Sequence, residues 1–533
     1  MKKNMLSVVL AAAMLISGCD LNETGEISSY SNSMSETDNS GDISSSQDSG
    51  AETDDPEERF ARNFPSYEEV AEQYPDKTVL VWTIGETGYD WGEGAMRTRE
   101  VNEYLDSVGK DFVVCFYPIT CDFYGTDGFY TDKLKEMIAN NTPPDIIYSN
   151  SVHTFEGYIN PYVKCVGNEL FEPLDNYLKN TEYGRELYAL MPEKHWEGLR
   201  INDTIYGVDG GMNTIAYNYG YYVNAELVGK YGYDITKPVL GQLDILKAVK
   251  DNEKDCDVFS MYTSWLYNPA FFSTIKDISN SVYWDSGSHT AKCTFDDSGY
   301  FEKLRLFAEI STNKLLNNME RTHEDTFFIL QSNKIGGSVI YEDMQTVEVD
   351  YFENKVNAVP VFDESVCVNL SFSATGICSA SANKDKAFEL LALTQTDSYL
   401  NNLMTFGIEG EDYLLDGDTV IETNNYFNPS RFGNYMLCHL WERNDITAGQ
   451  YRTVFESAVV PPDIDFVFDS TSVHDEFVAA ADIMDKFSLP SASEGIGLDE
   501  KIAMTRAKLE ESGIQKIIDE CNKQYEVYKN ENK

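Results

Sequence analysis

The chain is 533 residues long and carries 89 acidic against 41 basic side chains, a formal net charge of −48. Neutralising a phosphate backbone takes clusters of Lys and Arg, so this balance excludes nucleic acid as a partner. With 42% apolar and 13% aromatic residues the chain has material for a large core, and its length implies two or more domains or lobes.

The chain opens with Lys2 and Lys3, then an apolar run from Met5 to Ile16 that is too short to span a bilayer, then the small residues Ser17 and Gly18. That is the pattern of an export signal, and Leu15-Ile16-Ser17-Gly18-Cys19 resembles the bacterial lipobox. The resemblance implies a lipoprotein signal peptide over 1–18, with Cys19 acylated (palmitate-type chains) as the mature N-terminus and the protein tethered to a membrane. Each buried methylene contributes about 0.8 kcal/mol, so two or three chains hold firmly. Residues 19–58 then form a linker of Ser, Asp, Glu, Thr, Asn and Gly without Lys or Arg, a composition that cannot bury enough surface to fold. As a flexible coil it reaches about 35 Å and spaces a globular body from the membrane. No later stretch is long and apolar enough to cross a bilayer.

The body alternates. Tyr67 to Tyr74 reads as a polar helix, Thr78 to Ile84 as a strand, Arg97 to Val108 as a helix and Phe112 to Ile119 as a strand. Thr131 to Ala139, with Leu134, Met137 and Ile138 at helical spacing, precedes the apolar Pro144 to Tyr148. Strand, helix, strand, helix, strand is the signature of a parallel sheet wound with helices, whose ligands sit beyond the carboxyl ends of the strands. Further strands are expected at Thr214 to Val223, Val258 to Tyr262, Gly336 to Tyr341 and Asn357 to Val361, and helices at Leu240 to Lys250 and from Asp385 onward. The C-terminus, Asp499 to Tyr525, is a long amphipathic pattern broken at Gly513.

Beyond Cys19 nine cysteines remain, an odd number without regular spacing. Cys115 and Cys121, and Cys367 and Cys378, lie close in sequence, but neither pair has a CxxC or His partner at zinc spacing. Mostly free thiols are expected, and no metal.

Ile205-Tyr206-Gly207-Val208, followed by Tyr217-Asn218, Tyr222 to Leu227 and Lys230 to Ile235, resembles the extracellular solute-binding proteins of bacterial ABC importers, oligosaccharide-type. Pro173-Leu174-Asp175, Met191 to Trp196, Gly407 to Tyr413, Phe432-Gly433-Asn434, Phe466 to Asp469 and Lys508 to Ile518 continue the resemblance in the family's order. Gly210-Gly211-Met212 departs from it, standing where relatives carry a more polar crossover. The resemblance implies an α/β, periplasmic-binding-protein-like fold of two α/β lobes closing by a hinge around a ligand cleft. Lobe 1 is expected at 76–212 and 372–425, and lobe 2 at 216–370 and 430–525.

Sugars stack their apolar faces on aromatic rings while polar groups take the hydroxyls. The aromatic candidates are Trp82, Tyr89, Trp91, Tyr148, Tyr217, Trp265, Tyr267, Tyr341, Tyr435 and Trp441, of which Trp265 and Trp441 are favoured as lying on lobe 2. The polar candidates are Asp209, Asn218, Glu342, Asp343 and Asn434, and Glu409 is read as organising a turn. Glu342 and Asp343 are adjacent and point to opposite faces of a strand, which is wrong for a glycosidase pair. No nucleophile elbow, zinc-protease helix or phosphate loop occurs, so no enzyme and no cofactor are expected. The resemblance implies a monomeric receptor at the extracellular face of a bacterial cell membrane, lipid-anchored, that captures an oligosaccharide and passes it to ABC permease subunits. A peptide or other small-solute receptor on the same fold, or a surface adhesion or sensory lipoprotein, are the alternatives.

Overall fold

The structure is a computed structural model that describes residues 64–87, 97–121, 129–149, 160–210, 214, 220–261, 276–279, 281–285, 287–318, 324–332, 346–352, 354–362, 368, 370–371, 373–423, 432–441, 448–461, 463–489 and 496–531. Cys19, the linker 19–58 and the strand expected at Gly336 to Tyr341 lie outside them.

The body starts with the helix Tyr67–Gln73, whose capping box is complete: the Ser66 hydroxyl accepts from the Glu69 amide and the Glu69 carboxylate accepts from the Ser66 amide. Three strands follow, β1 (Thr78–Thr87), β2 (Phe112–Cys121) and β3 (Ile146–Tyr148), separated by the helices Thr98–Ser107 and Phe129–Ala139. β1 pairs in parallel with β2 from Thr78↔Phe112 to Thr87↔Cys121 and with β3 at Trp82↔Ile146. Strands buried on both faces by crossover helices read as continuous apolar runs, which is how Thr78 to Ile84 and Phe112 to Ile119 appear in the sequence. β2 is an edge strand, and the helix before it satisfies part of that edge: Asn102 Nδ2 donates to the Val114 carbonyl and its Oδ1 accepts from the Val114 amide.

After the short helices Pro161–Gly167, Asp175–Asn180, Glu182–Leu190 and Glu193–Glu197 comes the ribbon β4 (Arg200–Ile201) and β5 (Thr204–Ile205). A second sheet then uses β6 (Gly220–Asn224) and β7 (Cys256–Met261), with the helices Ala225–Tyr231 and Leu243–Asn252 between them. β8 (Lys276–Ser279), β9 (Val282–Asp285) and β10 (Thr290–Cys293) form a separate antiparallel sheet. β11 (Leu316–Asn318), β12 (Thr326–Ser332), β13 (Val347–Tyr351) and β14 (Asn354–Phe362) complete the six-stranded second sheet, in the order β11-β7-β12-β6-β14-β13. The chain then returns: β15 (Thr375–Ile377) adds antiparallel to β3 at the edge of the first sheet. The helices Lys384–Thr396 and Ser398–Phe406 follow, then a small sheet of β16 (Tyr413–Asp416), β17 (Thr419–Thr423) and β18 (Leu440–Trp441). The last helices are Ala448–Ser457, His474–Asp485, Leu498–Ser512 and Ile514–Glu531.

Two cores result. The first gathers buried residues from Phe64 to Val208, from Val368 to Phe432 and from Tyr451 to Ile464; the second gathers Tyr221 to Ile329 and Phe466 to Tyr525. The last passage between them lies within Ile464 to Phe468, where Ile464 and Val467 pack on the first core and Phe466 and Phe468 on the second, whereas the sequence places 430–525 wholly in lobe 2. Phe432, Tyr451 and Phe455 turn apolar side chains to the first core, and burial rather than sequence order assigns them there. Gly513 breaks the C-terminal pattern as expected: with φ of 92° it is the left-handed cap of Leu498–Ser512. Among the described residues no helix is long and apolar enough to cross a membrane.

Candidate functional site

Among the described residues the chain passes between the cores three times, and the first two passages meet beside the carboxyl end of β3. At the first passage the Val208 amide donates to the Thr375 carbonyl and returns the bond, so the chain enters it zipped to β15. Asp209 follows, 1% exposed, its Oδ2 accepting from the Ser371 hydroxyl at 2.9 Å. Ser371 stands just after the second passage, and its hydroxyl also reaches the Ser373 carbonyl at 2.7 Å. Ser373 in turn accepts from the Tyr148 hydroxyl at the end of β3, at 3.2 Å. The one Ser371 proton is shared between these two acceptors, and the contact with Asp209 brings the first passage against the residue that follows the second. Val459, on the lobe-1 segment that leads to the third passage, accepts from the Val368 amide, and the Tyr435 amide donates to the Gly210 carbonyl at 2.9 Å.

A buried imidazole sits under the first passage. His195, on the helix Glu193–Glu197, places Nδ1 2.7 Å from both the Thr214 and the Tyr451 hydroxyls. Two hydroxyls at one ring nitrogen favour Nδ1 as the acceptor, which puts the proton on Nε2, facing Asp209 Oδ1 at 3.7 Å. That separation is too long for a hydrogen bond, and Nε2 has no partner among the described residues. Burial drives the imidazole down from its ordinary 6.5 to about 3, so His195 is neutral and the contact with Asp209 is no ion pair. Burial likewise pushes the Tyr451 phenol well up.

The structure redistributes the residues named from sequence. Trp82 is a correction: it is 0% exposed, 5.7 Å from the Phe116 ring inside the first core, because its position in β1 faces the covering helices rather than the strand ends. Tyr148 and Asp209 are both buried and bonded to the protein's own passages, not turned outward. Asn434 is fully buried, donating to the Gln395 carbonyl and capping the turn Tyr435–Leu437. Tyr435 is half-buried on that turn beside the first passage. Trp441 ends β18, which pairs with β17 at Val420↔Trp441; the small sheet packs by Tyr413 and Val420 on Phe406, next to the first core rather than on lobe 2. Tyr89, Trp91, Tyr217, Asn218, Trp265, Tyr267, Tyr341, Glu342 and Asp343 lie outside the described residues.

Glu409 does lie in a turn, where Gly407 and Gly410 have φ of 85° and 84° and Asp412 Oδ2 accepts from the Ile408 amide. Asp412 also pairs with Arg97, tying this turn to the start of the helix after β1. Ser371, Ser373, Thr214 and Tyr451 went unnoticed in the sequence, since isolated Ser, Thr and Tyr carry no signal; His195 stood inside the Met191 to Trp196 segment but without a spacing partner. No cluster of His, Cys, Asp and Glu among the described residues could hold a metal ion.

Residues 462–530 match a family described as a domain of unknown function, DUF3502. A carbohydrate ABC transporter substrate-binding protein of Streptococcus pneumoniae is 21% identical over 406 residues, 66% of this chain and 78% of that protein. Among solved structures, an N-glycan transport solute-binding protein from Streptococcus pneumoniae superposes with a TM-score of 0.61 at 18% identity, covering 85% of this chain and 99% of that one. The same protein in complex with Man5GlcNAc gives 0.51 at 18% identity over the same shares. The fold is that of solute-binding proteins, two α/β lobes joined by several passages.

Proposed function

We propose that this chain is the extracellular solute-binding receptor of an ABC importer, that its ligand is a carbohydrate of oligosaccharide size, and that acyl chains on Cys19 tether it to the outer face of a bacterial cell membrane. The observation that carries the reading is the likeness to the N-glycan transport solute-binding protein, which runs through 99% of that chain and so includes both lobes and the passages between them. The substrate-binding relative named for carbohydrate transport agrees with it.

The mechanism is differential affinity. A ligand between the lobes touches both when they close, and its extra contacts in that state shift the population toward it. The passages bonded through Asp209, Ser371 and Tyr148 hold the base of the cleft while the lobes move. Stacking is the task of aromatics from both sides, with Trp265 and Trp441 foremost and Tyr89, Trp91, Tyr217, Tyr267, Tyr341 and Tyr435 as further candidates; Asn218, Glu342 and Asp343 are the candidates for the hydroxyls. The linker 19–58 keeps the receptor within about 35 Å of its permease, at high effective concentration.

A thermal-shift screen of residues 59–533 against glycans and peptides tests this. A glycan should raise the midpoint by several degrees, and Trp265→Ala or Trp441→Ala should abolish the shift. A peptide response without any glycan response would overturn the carbohydrate reading.

A further inference from the structure

The first two passages reach the second sheet at the same rim. β12 ends in Gln331 and Ser332, which pair with Tyr221 and Gly220 at the start of β6, and those two residues of β6 pair on their other side with Val361 and Phe362 at the end of β14. β6 follows the first passage, where Thr214 is bonded to His195 of lobe 1, and β14 leads into the second. β12 runs parallel to β7, so this rim is also the carboxyl end of both strands, the side on which an α/β sheet takes its ligand.

Gln331 is out of character in its row. Its neighbour in register, Tyr221, packs on Phe259 in the second core, and Val361, next along the row, lies against that core as well. Gln331 itself is 6% exposed, and its Oε1 is buried without a hydrogen-bond partner among the described residues. Burying an acceptor unmade costs stability that an apolar side chain of the same length would not, so the fold gains nothing from a carboxamide here. Other buried atoms without a partner stand away from this rim: Trp82 Nε1 within β1 and Gln395 Oε1 on the helix Lys384–Thr396 belong to lobe 1, and Thr294 Oγ1 lies on the turn Thr294–Asp296 after β10. A carboxamide carries an acceptor and two donors in one plane. It matches two adjacent hydroxyls of a sugar ring, one donating to Oε1 and the other accepting from Nε2.

We propose that Gln331 is a ligand-binding residue of lobe 2, one that takes a pair of adjacent hydroxyls on the captured sugar. The inference rests on the carbohydrate-receptor reading and adds to it a contact made by the sheet rim rather than by an aromatic ring. The ligand supplies the donor that Oε1 lacks, so the carboxamide contributes to binding and not to folding. It also sets a preference: a sugar without the matching hydroxyl leaves Gln331 buried and unpaired, which is how a site built to bond a hydroxyl rejects the analogue lacking it.

Residues 19–533 are compared with Gln331→Met, which keeps the length and removes both hydrogen-bonding ends, and with Thr294→Val, which removes a buried unpartnered hydroxyl away from the rim. The probes are a panel of short oligosaccharides of mannose, glucose, galactose and N-acetylglucosamine, together with monodeoxy analogues of the panel sugar that shifts the parent most. Without sugar, both variants should have thermal midpoints at or above the parent's, since each loses an unsatisfied buried group. With that sugar, Gln331→Met should bind about tenfold more weakly by calorimetry, and Thr294→Val like the parent. At least one deoxy analogue should bind the parent about tenfold more weakly than the intact sugar does, yet cost Gln331→Met nothing further. Unchanged affinity in Gln331→Met would leave Oε1 to a buried water. A loss in Gln331→Met that is the same for the sugar and for every analogue would make the carboxamide a structural group. Either result overturns this assignment and spares the receptor reading. A parent that responds to no sugar of the panel overturns the carbohydrate reading, and the assignment falls with it.

Discussion

Acid should loosen this protein through His195, by an amount the structure sets. Its imidazole is neutral because burial lowers its pKa from 6.5 to about 3. In the unfolded chain the same ring regains its ordinary value, so between pH 6.5 and 3 the unfolded state binds a proton that the folded state refuses, and stability falls as pH drops through that window. Between pH 7 and pH 5 the unfolded ring goes from about a quarter protonated to almost wholly so, while His195 stays neutral. The loss is about 2 kcal/mol. The assay is urea unfolding of residues 59–533 at pH 7 and pH 5, for the parent and for His195→Asn, which keeps a polar group near Nδ1 for the Thr214 and Tyr451 hydroxyls. At pH 7 the variant should be less stable by about 1–3 kcal/mol, the cost of a disturbed buried network. At pH 5 that deficit should shrink by about 2 kcal/mol, because the variant has no imidazole to charge. Other carboxylates and histidines titrate equally in both proteins and cancel in the comparison. A deficit of the same size at both pH values would refute the argument, showing that the folded His195 charges as readily as the unfolded ring, and a deficit that grows at pH 5 would refute it by showing a pair with Asp209.

Two further outcomes follow from packing. Gly513→Ala puts a Cβ 2.8 Å from Glu476 Cγ at a residue with φ of 92°, and the strain should cost about 1–2 kcal/mol, read as a lowered thermal midpoint; an unchanged midpoint would mean that the helix cap relaxes freely. Cys115, Cys165, Cys256, Cys293, Cys378, Cys438 and Cys521 form no disulfide, so thiol titration of the unreduced, denatured protein should find at least seven per chain, and a lower count would overturn that state. Native protein should react slowly, since burial pushes Cys115 up to about 11 and Cys165 to about 12.

The first sheet was legible because its strands are buried on both faces and advertise it as apolar runs; Thr78 to Ile84 and Phe112 to Ile119 lie inside β1 and β2. The strands β8 to β10 escaped notice because they are four residues each and antiparallel, with Lys276, Asp277, Lys292 and Asp285 breaking the apolar pattern. Trp82 shows a different limit. A large ring in a strand looks the same in sequence whether it faces a ligand or the core, and Trp82, in the middle of β1, faces the core. The side of each passage is equally hidden, since Phe455 is as apolar as any lobe-2 residue and a ring it packs on, that of His195 at 5.8 Å, is far away in sequence.

What sequence reasoning missed is concentrated where the lobes join, and this has a physical cause. A core is specified by apolar pattern, which a sequence displays, whereas the bonds that hold the passages are made by single polar residues. Hydrogen bonds can fix points without filling the space between them. The junctions here are built that way: Asp209 to Ser371, Tyr148 to Ser373, His195 to Thr214 and Tyr451, and Asp463 to Tyr525. Each joins residues distant in the chain and none has a characteristic spacing, so only the folded geometry reveals them. The two kinds of bond also divide the labour. Those at Asp209 and His195 are buried and tie passage to lobe 1, whereas Asp463 ties passage to lobe 2.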